Sequence, residues 1–78
     1  MVIKWKDLEF VEIGYKEYKV DLNGHDYWLL CKYDDDMGDN IVRLYDSDDN
    51  EACSFNEEFV EEVNFFNNLE LELIEVIE

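Results

Sequence analysis

The dipeptide Asn23-Gly24 is the feature that most constrains the fold of this chain. Asn-Gly is the strongest short-range signal for a two-residue β-hairpin turn, because both residues tolerate the positive φ angles that such a turn needs. Residues 17–22 alternate between charged and apolar side chains, which is typical of a strand with one buried face. The turn predicts these opposing pairs: Leu22 with His25, Val20 with Tyr27, and Tyr18 with Leu29.

This register places one continuous apolar set on a single face of the hairpin. A shift of one residue would turn the whole set toward solvent, so the pattern itself supports the register. Trp28 and Leu30 are left on the other face, which we therefore expect to be partly covered. The residues expected to face the core are Tyr18, Val20, Leu22, Tyr27, Leu29, Cys31 and Tyr33.

Two more strands are expected after the hairpin. Residues 41–45 are mostly apolar and predict a third strand, which lies between acidic loops at 34–39 and 46–51. Residues 69–73 alternate leucine with glutamate and predict a last strand. The alternation breaks at Leu73-Ile74, so we expect a bulge or the end of the strand there.

A helix is expected over residues 55–67. Ser54 and Glu57 have the spacing of a capping box, the pair of side chains that satisfies backbone N–H groups at a helix start. Apolar residues at helical spacing follow it. For residues 2–13 we expect extended structure in part. The apolar stripe of the helix consists of Phe55, Phe59, Val63 and Phe66.

These elements predict one α+β domain over residues 1–78, a small antiparallel β-meander with one helix packed on it and a returning C-terminal strand. A hydrophobic content of 47% favours a packed core over disorder. The sequence has no run of 18 apolar residues and no signal-peptide pattern, so we expect no membrane partner and a cytoplasmic location. Two cysteines, Cys31 and Cys53, are too few for a disulfide framework, which favours a reducing compartment.

Electric charge divides the chain after Tyr33. Residues 1–33 carry six acids and five lysines, a net of −1, whereas residues 34–78 carry sixteen acids and one arginine, a net of −15. Such an excess argues against direct binding to nucleic acid or anionic membranes, whose phosphates would repel it, and for a basic protein or a cation. A solvated acidic face that only confers solubility, or a halophile's surface, is the alternative.

In size, charge pattern and α+β make-up the chain resembles the small acidic inhibitors that phages carry against host nucleases. These are the anti-CRISPR and anti-restriction nucleic-acid mimics. It is also similar to bacterial immunity proteins that neutralise basic nuclease toxins. The resemblance covers the acidic half of the chain. It implies an inhibitor that occupies the cationic groove of a nuclease or of a CRISPR or restriction effector, in the host cytoplasm if phage-encoded, without catalysis or a cofactor.

The proposed binding residues are carboxylates that would pair with lysines and arginines of such a groove. Carboxylates two residues apart on a strand, or one turn apart on a helix, repeat at roughly 6 Å, near the spacing of successive phosphates along a nucleic-acid strand. A protein with a phosphate-binding groove would therefore meet a competitor for its nucleic acid. The predicted set is Asp34, Asp35, Asp36, Asp39, Asp46, Asp48, Asp49 and Glu51, extended by Glu57, Glu58 and Glu61.

A calcium-binding module is the alternative from a different class, and an acidic interaction domain without mimicry is a further one. Five oxygen-bearing residues have the spacing of EF-hand ligands, at loop positions 1, 3, 5, 9 and 12. Position 6 holds Glu51 instead of the usual glycine, and residues 41–45 before the loop predict a strand instead of a helix. The five residues are Asp46, Asp48, Asn50, Ser54 and Glu57.

Catalysis has little support in the sequence, and we expect the protein not to be an enzyme. His25 is the single histidine, so the chain has no second histidine with which to build a catalytic triad or a zinc site. It follows the Asn-Gly turn, where it is expected to close the hairpin or face solvent. Cys53 is expected at a helix start, where a thiolate would be favoured.

Overall fold

The computed structural model describes residues 1–77, which form a six-stranded antiparallel sheet with one α-helix. The order across the sheet is β1-β6-β2-β3-β4-β5, so the last strand returns to lie between the first two. This confirms the predicted α+β class, the meander and the returning C-terminal strand. The elements are β1 (Val2–Ile3), a 3-10 helix (Trp5–Asp7), β2 (Lys16–Leu22), β3 (His25–Asp34), β4 (Asp39–Tyr45), β5 (Glu51–Asn56), α1 (Val60–Asn68) and β6 (Leu71–Ile77).

The hairpin of β2 and β3 has the register that the Asn-Gly turn predicts. Asn23 has φ 53° and Gly24 has φ 84°, the two positive angles of a type I′ turn. The same register continues along the hairpin as far as the pair of Lys16 with Cys31. The predicted pairs are all present: Leu22 with His25, Val20 with Tyr27, and Tyr18 with Leu29.

One side of the sheet, which we call the inner face, is sealed by α1 and by the N-terminal segment. Phe66 of α1 is fully buried and makes edge-to-face contacts with Trp5 and Phe55, in each case with 5.5 Å between ring centroids. Burial of a large apolar side chain is worth about 1.5–3 kcal/mol. The inner face and the helix therefore supply the main stabilisation of the fold, through the core residues Ile3, Trp5, Leu8, Tyr18, Val20, Leu29, Cys31, Val42, Leu44, Phe55, Phe66 and Leu71.

The prediction of a helix beginning at residue 55 is wrong. Residues 51–56 form β5, and Phe55 pairs with Val42 of β4, so the segment adds an edge strand to the sheet. Phe55 projects from a strand and is buried against Phe66 of α1, and Phe59 precedes the helix with 51% of its surface exposed. The local helical spacing was overridden by pairing with β4, which satisfies the backbone hydrogen bonds of the same residues.

The capping box expected at Ser54 is also absent, because this residue lies within β5 and not before a helix. The helix begins at Val60, and no side chain caps it through Phe59. Instead, a carboxylate oxygen of Glu62 accepts a hydrogen bond of 2.9 Å from the backbone N–H of Asn56. This contact explains why an acidic side chain points back along the helix toward the sheet.

The last strand runs over Leu71–Ile77 instead of residues 69–73, because Leu69 caps the C-terminal end of α1, but it carries the expected irregularity. The pairing of β6 with β2 shifts so that Leu73 lies opposite Val20 and Glu75 lies opposite Lys19, which leaves Ile74 without a partner. A bulge at Leu73-Ile74 is thereby confirmed. On the other edge of β6, β1 pairs only through Val2 and Ile3, and residues 5–7 turn into the 3-10 helix.

The opposite side of the sheet, which we call the outer face, has no helix packed on it within residues 1–77. Trp28 and Leu30 lie there and are half-buried, as expected from the register. Ion pairs and cross-strand contacts cover them in part, including a contact of Lys19 with the ring of Trp28. No helix among residues 1–77 is long and apolar enough to cross a membrane.

Candidate functional site

The predicted acidic residues form two groups at opposite ends of the sheet. Successive turns of a meander alternate between its ends, so the 34–39 turn and the 46–50 turn are separated by the whole length of β4, about 20 Å for a strand of this length. We call the first group the 34–39 end: Asp34, Asp35, Asp36, Asp39, Glu57, Glu58 and Glu61. The second group is the 46–51 end: Asp46, Asp48, Asp49 and Glu51.

The turn of the 34–39 end is fixed by its own carboxylate. One oxygen of Asp34 accepts hydrogen bonds from the backbone N–H groups of Asp36 (2.9 Å) and Met37 (3.3 Å). The backbone N–H of Gly38 donates to the Asp34 carbonyl at 2.7 Å. Asp35 and Asp36 are therefore presented to solvent from a defined backbone.

Hydrogen bonds join this turn to the connection between β5 and α1. A carboxylate oxygen of Asp39 accepts a bond of 2.9 Å from the backbone N–H of Glu58. The backbone N–H of Glu57 donates to the Asn40 carbonyl at 3.0 Å, and the Asn40 amide donates to the Glu57 carboxylate. Carboxylates 18 or more residues apart in sequence are thus gathered at one end, which the sequence pattern did not reveal.

The turn of the 46–51 end is also held by backbone hydrogen bonds to a carboxylate, but one acid of this end forms an ion pair. One oxygen of Asp46 accepts bonds from the backbone N–H groups of Asp48 (2.9 Å) and Asn50 (3.0 Å). Glu51 lies 3.7 Å from the guanidinium of Arg43. The 46–51 end is thus smaller in charge and partly neutralised.

Within residues 1–77 the structure has three ion pairs, and none involves the 34–39 end. They join the Met1 amino group to Glu72 at 2.9 Å, Lys19 to Asp26 at 3.8 Å, and Arg43 to Glu51 at 3.7 Å. The seven carboxylates of the 34–39 end therefore repel one another with no ion pair among residues 1–77 to offset the repulsion, which salt screens. This unpaired charge is the main electrostatic difference between the two ends.

Residues 46–57 do not have the backbone of an EF-hand loop. β4 precedes residues 46–57 where an EF-hand has its incoming helix, and β5 runs from position 6 of the would-be loop through position 11. The helix that follows, α1, begins only at Val60, after position 12. Ser54 lies within a strand, and one oxygen of Asp46 already accepts two backbone hydrogen bonds. Among the described residues, no group of three or more His, Cys, Asp or Glu side chains is arranged to hold a metal ion. Calcium binding itself stays a prediction.

Both cysteine thiols have a raised pKa, which makes the reactive thiolate form less favoured. Burial raises the pKa of the Cys31 thiol from 9.0 to about 12. Cys53 lies on β5, and burial, together with the charge of Glu51, raises its pKa as well. The thiolate expected for Cys53 at a helix start is therefore not favoured, because no helix begins there. His25 is exposed beside the turn, as expected.

The outer face has a hollow of about 470 Å³ next to Trp28 and Tyr45, which the sequence pattern did not predict. These two aromatic residues pair across β3 and β4. The alternation of side chains in β3 predicts Trp28 on the outer face. Its neighbours in the hollow could not be predicted, because they depend on the pairing of β3 with β4 and on the turn that follows β4.

Comparison with known proteins finds no matching family model, no matching curated protein and no matching solved structure.

Proposed function

We propose that the protein is an acidic inhibitor that binds the cationic nucleic-acid-binding groove of a nuclease, or of another nucleic-acid-handling protein, through its 34–39 end. The observation that carries the proposal is the gathering of seven carboxylates at this end with no ion pair among residues 1–77. Apart from the hydrogen bonds that Asp34, Asp39 and Glu57 accept, such an arrangement opposes folding, since like charges repel. A groove of lysines and arginines would relieve that repulsion.

The backbone hydrogen bonds of the 34–39 end support a role in binding. The turn is held by Asp34, and Asp39 and Asn40 hold the connection after β5. Carboxylates presented from a fixed backbone lose less conformational entropy on binding than carboxylates on a flexible tail. Lysines and arginines of the partner would release counterions as they do on a nucleic acid, so the affinity should fall steeply with salt.

The two ends provide a matched test of the proposal. Asp35→Lys and Asp48→Lys each reverse one exposed charge in a turn, and neither carboxylate accepts a hydrogen bond within residues 1–77. We expect Asp35→Lys to weaken binding to a basic nuclease about tenfold, the equivalent of roughly 1.4 kcal/mol. Asp48→Lys should change the affinity by no more than about twofold, because this residue lies at the far end of the sheet.

The measurement is calorimetric titration against a panel of purified basic nucleases and CRISPR or restriction effectors, repeated at several salt concentrations and in the presence of each protein's nucleic acid. The proposal requires that the nucleic acid and this protein compete. Equal losses from Asp35→Lys and Asp48→Lys would show that only total charge matters. Binding that persists alongside the nucleic acid would rule out occupation of the groove.

A further inference from the structure

The hollow on the outer face is built from three strands and one turn. Trp28 of β3 and Tyr45 of β4 lie directly opposite each other, and Leu30 lies two residues further along β3 on the same face. The turn after β4 contributes the side chains of Ser47 and Asp49. The hollow has a volume of about 470 Å³ and is lined by Glu17, Trp28, Leu30, Tyr45, Ser47 and Asp49.

This set of side chains has the chemistry of a site for an organic cation. The faces of tryptophan and tyrosine rings attract cations, and tryptophan does so most strongly. Trp28 already receives one in the folded chain, because the ammonium of Lys19 lies 5.6 Å from its ring centroid. An apolar side chain, that of Leu30, would contact the alkyl part of such a ligand.

Two carboxylates of the hollow remain available for a cation. Of the nearby basic residues, Lys19 contacts both the Trp28 ring and Asp26, and Arg43 pairs with Glu51. Within residues 1–77, neither Glu17 nor Asp49 takes part in an ion pair. A cation would therefore meet two carboxylates that form no ion pair within residues 1–77, beside the aromatic pair.

The turn after β4 places the carboxylate of Asp49 at the hollow. Asp49 has φ 62°, a conformation that aspartate and asparagine adopt more readily than most other non-glycine residues, so the turn itself accounts for this backbone.

We propose that the hollow binds an alkylammonium group, the cation carried by a lysine side chain or by its methylated forms. Its volume lies within the range of about 300–1,000 Å³ usual for small-ligand sites. Two aromatic residues, an apolar side chain and two carboxylates suit a cation with an alkyl stem, and they disfavour anions. The site is distinct from the 34–39 end and does not depend on the function proposed for that end.

The test uses the indole N–H signals of the full chain in ¹H–¹⁵N spectra. Nα-acetyl-trimethyllysine amide is titrated, and its neutral analogue with a tert-butyl group in place of the trimethylammonium serves as the control ligand. We expect a saturable shift of the Trp28 indole signal, while the buried Trp5 indole stays in place as an internal reference. The neutral analogue should bind at least about fivefold more weakly, because the cation–π attraction and the carboxylates act on charge.

Variants locate the binding site. Glu17→Gln combined with Asp49→Asn should lower the affinity about tenfold, and asparagine tolerates the positive φ at position 49. Asp48→Asn removes one charge from the neighbouring residue, which does not line the hollow, and should leave the affinity within about twofold. Unchanged amide shifts away from the hollow show that each variant is folded.

Two further ligands distinguish the sources of the cation. Tetramethylammonium represents a free ammonium ligand, and a lysine-containing peptide represents a side chain of another protein. The ligand with the lower dissociation constant identifies the source. Equal binding of the charged ligand and its neutral analogue would overturn the proposal, as would an equal loss in Asp48→Asn and the double variant. The absence of any saturable shift of the Trp28 signal at millimolar ligand would do so too.

Discussion

Leu29 is fully buried on the inner face of the sheet, whereas Leu30, the next residue of β3, is half-buried on the outer face. The same strand thus presents two different surfaces at every second residue. The inner face is covered by α1 and the N-terminal segment. The outer face is covered only in part, by cross-strand contacts such as that of Lys19 with Trp28, although Ile41 on this face is buried.

The contrast between the faces separates stability from recognition. Inner-face residues are held by close packing, where the removal of even a few atoms leaves a cavity. Outer-face residues such as Trp28, Tyr45 and Arg43 lie at least partly in solvent, so they can be varied at smaller cost. We therefore expect substitutions on the inner face to change folding, and those on the outer face and at the acidic ends to change binding.

The largest expected effect comes from Leu29→Ala. Loss of a fully buried leucine costs about 2–5 kcal/mol, through the lost burial and the cavity that remains. Leu30→Ala, the matched change one residue away, should cost about 1 kcal/mol or less, because this side chain is already half in solvent. Urea denaturation followed by circular dichroism measures both. Similar midpoints for the two variants would contradict the division between the faces.

The second effect is a loss of stability at alkaline pH that originates on the inner face. The pKa of Cys31 rises from 9.0 to about 12 on burial, so above pH 9 the unfolded chain releases this proton before the folded chain does. The unfolded state is then favoured by about 1.4 kcal/mol per pH unit until the folded thiol ionises as well. Tyr18, whose pKa is also raised by burial, acts in the same direction.

Denaturation midpoints measured from pH 7 to pH 11 test this effect. The contribution of Cys31 is fully present below pH 9 and is lost as the pH rises toward 12. Cys31→Ala should lower the stability at pH 7 but flatten the slope above pH 9. An unchanged slope in this variant would assign the alkaline loss to other groups.

The smallest effect is expected from the ion pair on the outer face. The Arg43 and Glu51 side chains are 41% and 46% exposed and lie 3.7 Å apart, a geometry in which pairs contribute about 0.2–1 kcal/mol. Arg43→Met keeps most of the aliphatic stem and removes the charge. It should lower the free energy of unfolding by less than about 1 kcal/mol, and the difference from wild type should shrink in high salt. A loss above 2 kcal/mol would show that the outer face also stabilises the fold.

The hairpin and the last strand could be predicted because their signals are local. Asn23-Gly24 sets the turn, and alternation of period two sets which residues face inward, so the register and the bulge at Leu73-Ile74 were confirmed. The prediction of a loop and a helix start over residues 51–56 is wrong because it, too, depends on local spacing alone. Their local spacing suits a helix, but the exposed edge of β4 offers hydrogen bonds that only the tertiary structure reveals.

The acidic composition of the second half of the chain is a property of the sequence alone, and so is the choice of residues for the strand faces. The tertiary structure decided which carboxylates are neighbours, because strand direction sends the 34–39 and 46–50 turns to opposite ends and the added β5 brings Glu57 and Glu58 back to the first of them. It also placed Trp28 beside Tyr45. The alternation of side chains along a strand and the type of a turn are set by a few neighbouring residues. Which distant segments come into contact depends on how all the strands of the sheet are paired.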